Sequence, residues 1–256
     1  MKKGIYCTLA WTGIKKNSKL YLPYILTCMG TVMMCYIISF LSTSSTFALI
    51  KGGDTVQIFL QMGFGVMSVF SLIFLFYTNS FLIRRRKKEF GLYNILGLEK
   101  KHLVKVMFFE TLIIVGSTIL GGLFFGILLS KFAELFMVKI LGGAVTYAFS
   151  VDVSSITRTV LLFLVIFLLI FLNTLRQIHL TNPIQLLHSD QAGEKAPKAN
   201  WIVALLGAAI LGVAYYLAVT IRDPVTAITT FFLAVIMVII ATYLLFVAGS
   251  LKFCRI

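Results

Sequence analysis

Few side chains in this chain are able to do chemistry, and most are kept out of its apolar stretches. Glu110 is the one acid inside an uncharged hydrophobic run, about a turn from the start of that run. A carboxylate in hydrocarbon is costly and is a functional candidate by default. Its depth is shallow, so a water or Lys105, five residues back, suffices to satisfy it, and a packing role is equally open. No proton relay is assigned to it. His102, His179 and His188 all fall in polar segments, and an intramembrane protease would therefore lack its base. Neither GxxxxGK(S/T) nor HExxH occurs, so the chain has no phosphate-binding loop of that kind and no zinc-protease signature. Cys7, Cys28, Cys35 and Cys254 form no CxxC pair and have no histidine nearby, and they read as reduced packing residues. No catalytic, cofactor-binding or metal-ligating residue is assigned, and an enzymatic role is not expected.

The elements that hold these residues are set by hydrophobicity. The sequence is 59% hydrophobic and 12% charged, against about a quarter charged in a soluble domain. Its mean hydropathy is +0.98. A spanning helix needs roughly 20 apolar residues to fill the hydrocarbon core, and six intervals, charge-free apart from Glu110, qualify: 22–46, 58–83, 106–129, 159–175, 201–220 and 226–249. The fourth is the shortest; it is expected to begin near Ser155, with Arg158 snorkelling to the interface. The stretch 20–50 is uncharged and too long for the apolar region of a signal peptide. The expected fold is an all-α integral membrane protein of six transmembrane helices.

A net charge of +14 could suggest nucleic acid, but the cations sit between the apolar runs rather than on a folded basic face. They are also unevenly divided. Alternate loops on one side carry 18: five in the N-terminal arm (Lys2, Lys3, Lys15, Lys16, Lys19), eight from Arg84 to Lys105, three in 176–200 and two at the C-terminal end. The other side carries five: Lys51, Lys131, Lys139, Arg158 and Arg222. Retention of cations in the cytoplasm places both termini on the cytoplasmic side.

The arm over residues 4–19 sets Ile5, Leu9 and Ala10 before its lysines, which suits a short helix at the membrane interface or a plain positive anchor. The segment 131–155 is expected to start as a helix and loosen at Gly142 and Gly143, with no room for a domain. The stretch 182–200 of the linker is polar, with Pro183 and Pro197 limiting helix, and is the clearest boundary. In the third span Gly122, Gly126 and Ser130 recur every four residues, with Ser117 and Gly121 on an adjacent line. Small residues let another helix approach closely, so this is a packing face, internal by default and otherwise a dimer interface.

The most informative stretch is RRRKKEFGLYNILGLEKKHLVK. Phe90, Leu92, Tyr93, Ile95, Leu96 and Leu98 give a short helix an apolar surface between cations. Docking into a groove on a cytosolic partner and floating on the membrane surface both suit it, and the residues alone favour neither.

This stretch, with the FFETL that opens a glycine-rich span, resembles the FtsX-like (MacB-type) permeases of bacterial ABC transporters throughout 84–130. The block TNPIQLLHSDQAGEKAPKANW, the Tyr215 and Tyr216 pair in the next span, and the arm 14–21 are similar to the bacitracin-resistance (BceB-type) branch. The resemblance implies a permease subunit of the bacterial plasma membrane that forms a complex with a cytosolic ATPase and confers resistance to cell-wall-active peptide antibiotics. A membrane sensor histidine kinase is an implied further partner, alongside the lipid bilayer. ATP would be bound by the partner, so no cofactor is expected here. In that picture Glu89, Phe90, Leu92, Tyr93, Ile95, Leu96 and Leu98 belong to a coupling helix over about 86–100 on which the ATPase pushes.

The implied organisation is an interfacial arm (1–21), an FtsX-like four-span domain (22–175), a cytoplasmic linker (176–200), a two-span hairpin (201–249) and a cytoplasmic end (250–256). Permeases of this branch continue with further spans, a large extracellular domain and a second FtsX-like region. The resemblance therefore implies that this chain is the front portion of such a permease. A scaffold like the cell-division FtsX proteins, which relays ATPase motion to an external partner, is the alternative; the short 48–57 loop fits it poorly.

Overall fold

The computed structural model describes residues 4–47, 50, 52–86, 89–92, 100–143, 151–180, 201–220 and 224–253. Seven helices account for nearly all of them: α1 (Gly4–Lys16), α2 (Ser18–Thr43), α3 (Gly53–Arg85), α4 (Lys100–Ile140), α5 (Val153–Leu180), α6 (Trp201–Thr220) and α7 (Pro224–Phe253). Every helix after α1 has a segment long and apolar enough to cross a membrane, which makes six spans in an all-α membrane protein. Helix is the outcome that hydrocarbon imposes, because it satisfies every backbone N–H and C=O within the segment. The hydroxyls of the spans follow the same rule: Thr27, Thr31, Thr78 and Thr174 each bond the carbonyl four residues back. Many large apolar side chains face outward, among them Leu120, Phe124 and Leu161, as lipid-facing surfaces require.

Two compact units are present. The first comprises Met1–Gln61 and Ser71–Ser189, the second Met62–Phe70 and Asp190–Ile256. In the first, α2 is the central element. Its buried side chains Tyr21, Tyr24, Cys28, Val32, Cys35, Tyr36 and Phe40 recur at three- and four-residue spacing. Helix α4 packs along it, α5 packs against both, and α1 lies on α4. Cys28 and Cys35 are buried free thiols, and Cys7 is an exposed one. Asn79 of α3 donates across to Thr174 of α5 at 3.0 Å, both buried, so that polar pair in the apolar layer is satisfied. In the second unit α6 and α7 form a hairpin with small residues at the contact: Ala214 and Ala241 are fully buried, and Gly207 meets Leu244 and Leu245.

Helix α4 is longer than its apolar run. Its 41 residues extend about 60 Å at 1.5 Å per residue, roughly twice the hydrocarbon thickness. Glu134, in the segment expected to start as a helix, sits on the same helix as Glu110. The helix stops at a Schellman turn: Gly143 N–H bonds Val138 O at 3.0 Å, Gly142 N–H bonds Lys139 O, and Gly142 holds φ +69. The arm also differs from a plain interfacial helix. Tyr6 and Ala10 are buried against Val106 of α4, with Leu9, Phe109 and Ile113 around them; Trp11 faces outward. Residues 181–200 of the linker, 254–256 of the C-terminal end and 93–99 lie outside the described residues.

Candidate functional site

The first unit gathers its charges where α3 ends and α4 begins, at the end carrying the dense basic sequence. Arg86 follows α3 directly, and its amide caps that helix by bonding Ile83 O at 3.2 Å. Its side chain turns inward and is only 3% exposed. There Nη1 donates to Glu110 Oε2 at 2.7 Å and to the hydroxyl of Tyr21, while Nε donates to Glu89 Oε2 at 3.0 Å. The guanidinium lies between two aromatic faces, 5.1 Å from the ring centres of Tyr21 and of Phe90. Arginine suits this position because its planar fork bonds two carboxylates and stacks on rings at once. Burial, the largest influence, would favour its neutral form, but Glu110, Tyr21 and Glu89 together outweigh it and hold its pKa above the usual arginine value, so it stays charged.

One side chain thus joins three helices and a short helical turn. Glu110 and Met107 come from α4, Tyr21 from α2, and Glu89 and Phe90 from the turn at 89–92. Asn17, between α1 and α2, completes the ring by donating to Glu89 Oε1 at 2.6 Å. Helix α1 closes over the top through Gly13, where a Cβ would stand 3.2 Å from Glu110 Oε1. An apolar floor of Ile83, Phe90, Leu103 and Met107 keeps water from the pair. Removing one member of such a buried pair costs about 3–5 kcal/mol, because it leaves an uncompensated charge.

Of the residues singled out from sequence, Glu89, Phe90 and Glu110 meet here. Glu110 is paired with Arg86, not with Lys105, whose ammonium lies 5.6 Å over the Tyr6 ring. Leu92 is 53% exposed and takes no part in the cluster. Tyr93, Ile95, Leu96 and Leu98 lie outside the described residues. Arg86, Tyr21, Asn17 and Gly13 had not been singled out. Arg86 was hidden among three consecutive arginines; its spacing of three from Glu89 was the available signal.

The small residues of α4 meet α2. A Cβ on Gly121 would fall 2.3 Å from Met29 Cε, on Gly122 2.6 Å from Val32 Cβ, and on Gly126 3.0 Å from Tyr36 Cδ1. Ser130 is buried and bonds Ile127 O within its own helix. Beyond this seam is a second polar cluster. Glu134 accepts from Ser44 Oγ at 2.5 Å, Thr46 Oγ1 at 2.6 Å and Lys131 Nζ at 2.7 Å. Asp152 caps α5 by accepting from the amides of Ser154 and Ser155 and from the hydroxyls of Ser155 and Thr43. Helices α2 and α4 are therefore fastened by charge at both ends and by close backbone approach between.

This geometry is that of a helix bundle with a charged tether and no catalytic constellation among its described residues, and the sequence that builds it is similar to known proteins. Residues 62–183, which run through most of α3, all of α4 and all of α5, match the family FtsX-like permease C-terminal. An uncharacterized ABC transporter permease, YvcS of Bacillus subtilis, is 29% identical over 254 residues, 97% of this chain and 38% of that protein. The bacitracin export permease protein BceB of Halalkalibacterium halodurans is 27% identical over 249 residues, 94% of this chain and 38% of its own length. BceB of Bacillus subtilis is 24% identical over 200 residues, 76% of this chain and 30% of its own length. The chain thus spans under two fifths of the length of these relatives, all named as permeases. Residues 62–183 thus match the FtsX-like permease family, within a chain that has six candidate membrane spans among its described residues and is similar over most of its length to bacterial permeases.

Proposed function

We propose that this chain is a permease component of a bacterial ABC transporter that turns the motion of a cytosolic ATPase into resistance to cell-wall-active, bacitracin-like peptides. The antibiotic class rests on the two relatives named as bacitracin export permeases. The mechanical part rests on one observation: Arg86 ties the turn at 89–92 to α4 and α2 through Glu89, Glu110 and Tyr21. A push on the segment that begins at Glu89 is delivered to the spans through this buried tether. Both termini and the basic segments lie in the cytoplasm in this reading, because 18 cations flank the spans on that side against five on the other. ATP is bound by the partner, the permease supplies no catalytic group, and a membrane sensor kinase is a further partner.

The apolar surface of 90–98 is the docking face. Tyr93→Asp and Leu96→Asp should each abolish co-purification of the cognate ATPase while leaving membrane insertion intact. ATPase retained on both variants would contradict the assignment.

A further inference from the structure

The arm α1 has one face docked and one face open. Tyr6, Ala10, Gly13 and Asn17, spaced by three and four, make the docked stripe: Tyr6 bonds His102 at 2.6 Å, Ala10 is buried on Val106, Gly13 covers Glu110 and Asn17 holds Glu89. Trp11, Lys15 and Lys16 are exposed on the remaining face, and so is Lys19 in the first turn of α2. None of these three lysines pairs with an acid among the described residues, and the sequence holds no Asp or Glu before Asp54. Lys19 heads a stripe with Leu22 and Leu26, three and seven residues on, both more than half exposed, as is Trp11. The contacts of α1 with α4 run from His102 to Ile113 and so straddle residue 106, where the apolar run of α4 begins. The open face therefore stands at the boundary of headgroups and hydrocarbon, with three cations and an indole at that level and leucines leading inward.

We propose that the open face of the arm and the start of α2 bind an anionic glycerophospholipid, its phosphate held by Lys15, Lys16 and Lys19, Trp11 at the level of its headgroup and an acyl chain along Leu22 and Leu26. A zwitterionic lipid offers the same chain without net charge, so the lysines select for the anionic headgroup. An acidic protein surface would answer the cations but not the leucines that follow them into the span.

Trp11 supplies its own test. The chain has two tryptophans, and Trp201→Phe leaves Trp11 as the sole reporter. In nanodiscs of mixed phosphatidylglycerol and phosphatidylcholine, brominated phosphatidylglycerol should quench Trp11 more than brominated phosphatidylcholine at the same mole fraction. Replacing Lys15, Lys16 and Lys19 together by glutamine should remove the difference, and replacing them by arginine should keep it, with unfolding temperature reporting that both variants are folded. Equal quenching by the two lipids while the lysines are present would overturn the proposal, as would a preference that survives the glutamine replacements. Quenching by neither lipid would also overturn it, because Trp11 would then be covered by protein.

Discussion

Arg86 is held by more partners than any topology-determining cation needs: two carboxylates, a phenol and two ring faces. Taking a guanidinium and a carboxylate out of water costs several kcal/mol per ion, which returns only when the geometry is good and the remaining donors are bonded. Asp152 shows the opposite balance at the far end of α2. Burial there would raise its pKa, but hydrogen bonds from Ser155, Thr43 and the amides of Ser154 and Ser155 prevail and hold the carboxyl below its usual range. A carboxyl depressed on folding stabilises above its unfolded pKa and loses that contribution as pH falls through its folded value. Asp152→Asn keeps a capping oxygen, so its thermal stability should fall less than that of the wild type between neutral pH and about pH 3. Identical losses in the two proteins would show that the cap carries no charge dependence. The sequence marked Glu110 as the acid to explain but named Lys105 as its neighbour, because one-dimensional distance favours the nearest cation. The true partner arrives across 24 residues of chain, through the turn that follows α3.

Among the elements, α2 and α4 form the seam on which the first unit is built. Their approach depends on the absence of side chains at Gly121, Gly122 and Gly126, where even a Cβ would meet Met29, Val32 or Tyr36 at 3.0 Å or less. Packing of this kind stands in for the hydrophobic effect, which gives helices little reason to associate in lipid. Gly122→Leu should therefore push the helices apart and destabilise the bundle by about 1–3 kcal/mol or more, seen as a lower unfolding temperature in detergent, whereas Gly63→Leu, at an open position of α3, should not. The four-residue repeat of small side chains was legible in the sequence, and so was the count of six spans. Which helix would occupy the seam was not, because a small-residue stripe specifies closeness without naming a partner. The helical continuation past 131 and its stop at Gly142 and Gly143 were legible too, whereas the start of α4 at Lys100 was hidden, since its charged first turns read as loop when hydropathy alone sets the boundary.

At the scale of the whole molecule, the basic end and the opposite end have different tasks. One gathers the arm, the turn at 89–92 and the start of α4 around Arg86; the other pins α2 to α4 and α5 through Glu134 and Asp152. The cation bias assigns the first to the cytoplasm. A cysteine at Gly52, in the turn before α3, should then react with an impermeant maleimide in intact cells, and one at Gly193 only after lysis; the reverse pattern would invert the topology. The central claim is that force entering at the coupling segment reaches the spans through Arg86. Arg86→Lys tests it most directly, since an ammonium keeps the positive charge at Glu110 but lacks the planar fork that also holds Glu89. With the cognate ATPase co-expressed and permease levels matched, the variant is predicted to retain the ATPase on co-purification while bacitracin resistance falls toward that of cells lacking the permease. Full resistance in the same cells would contradict the account.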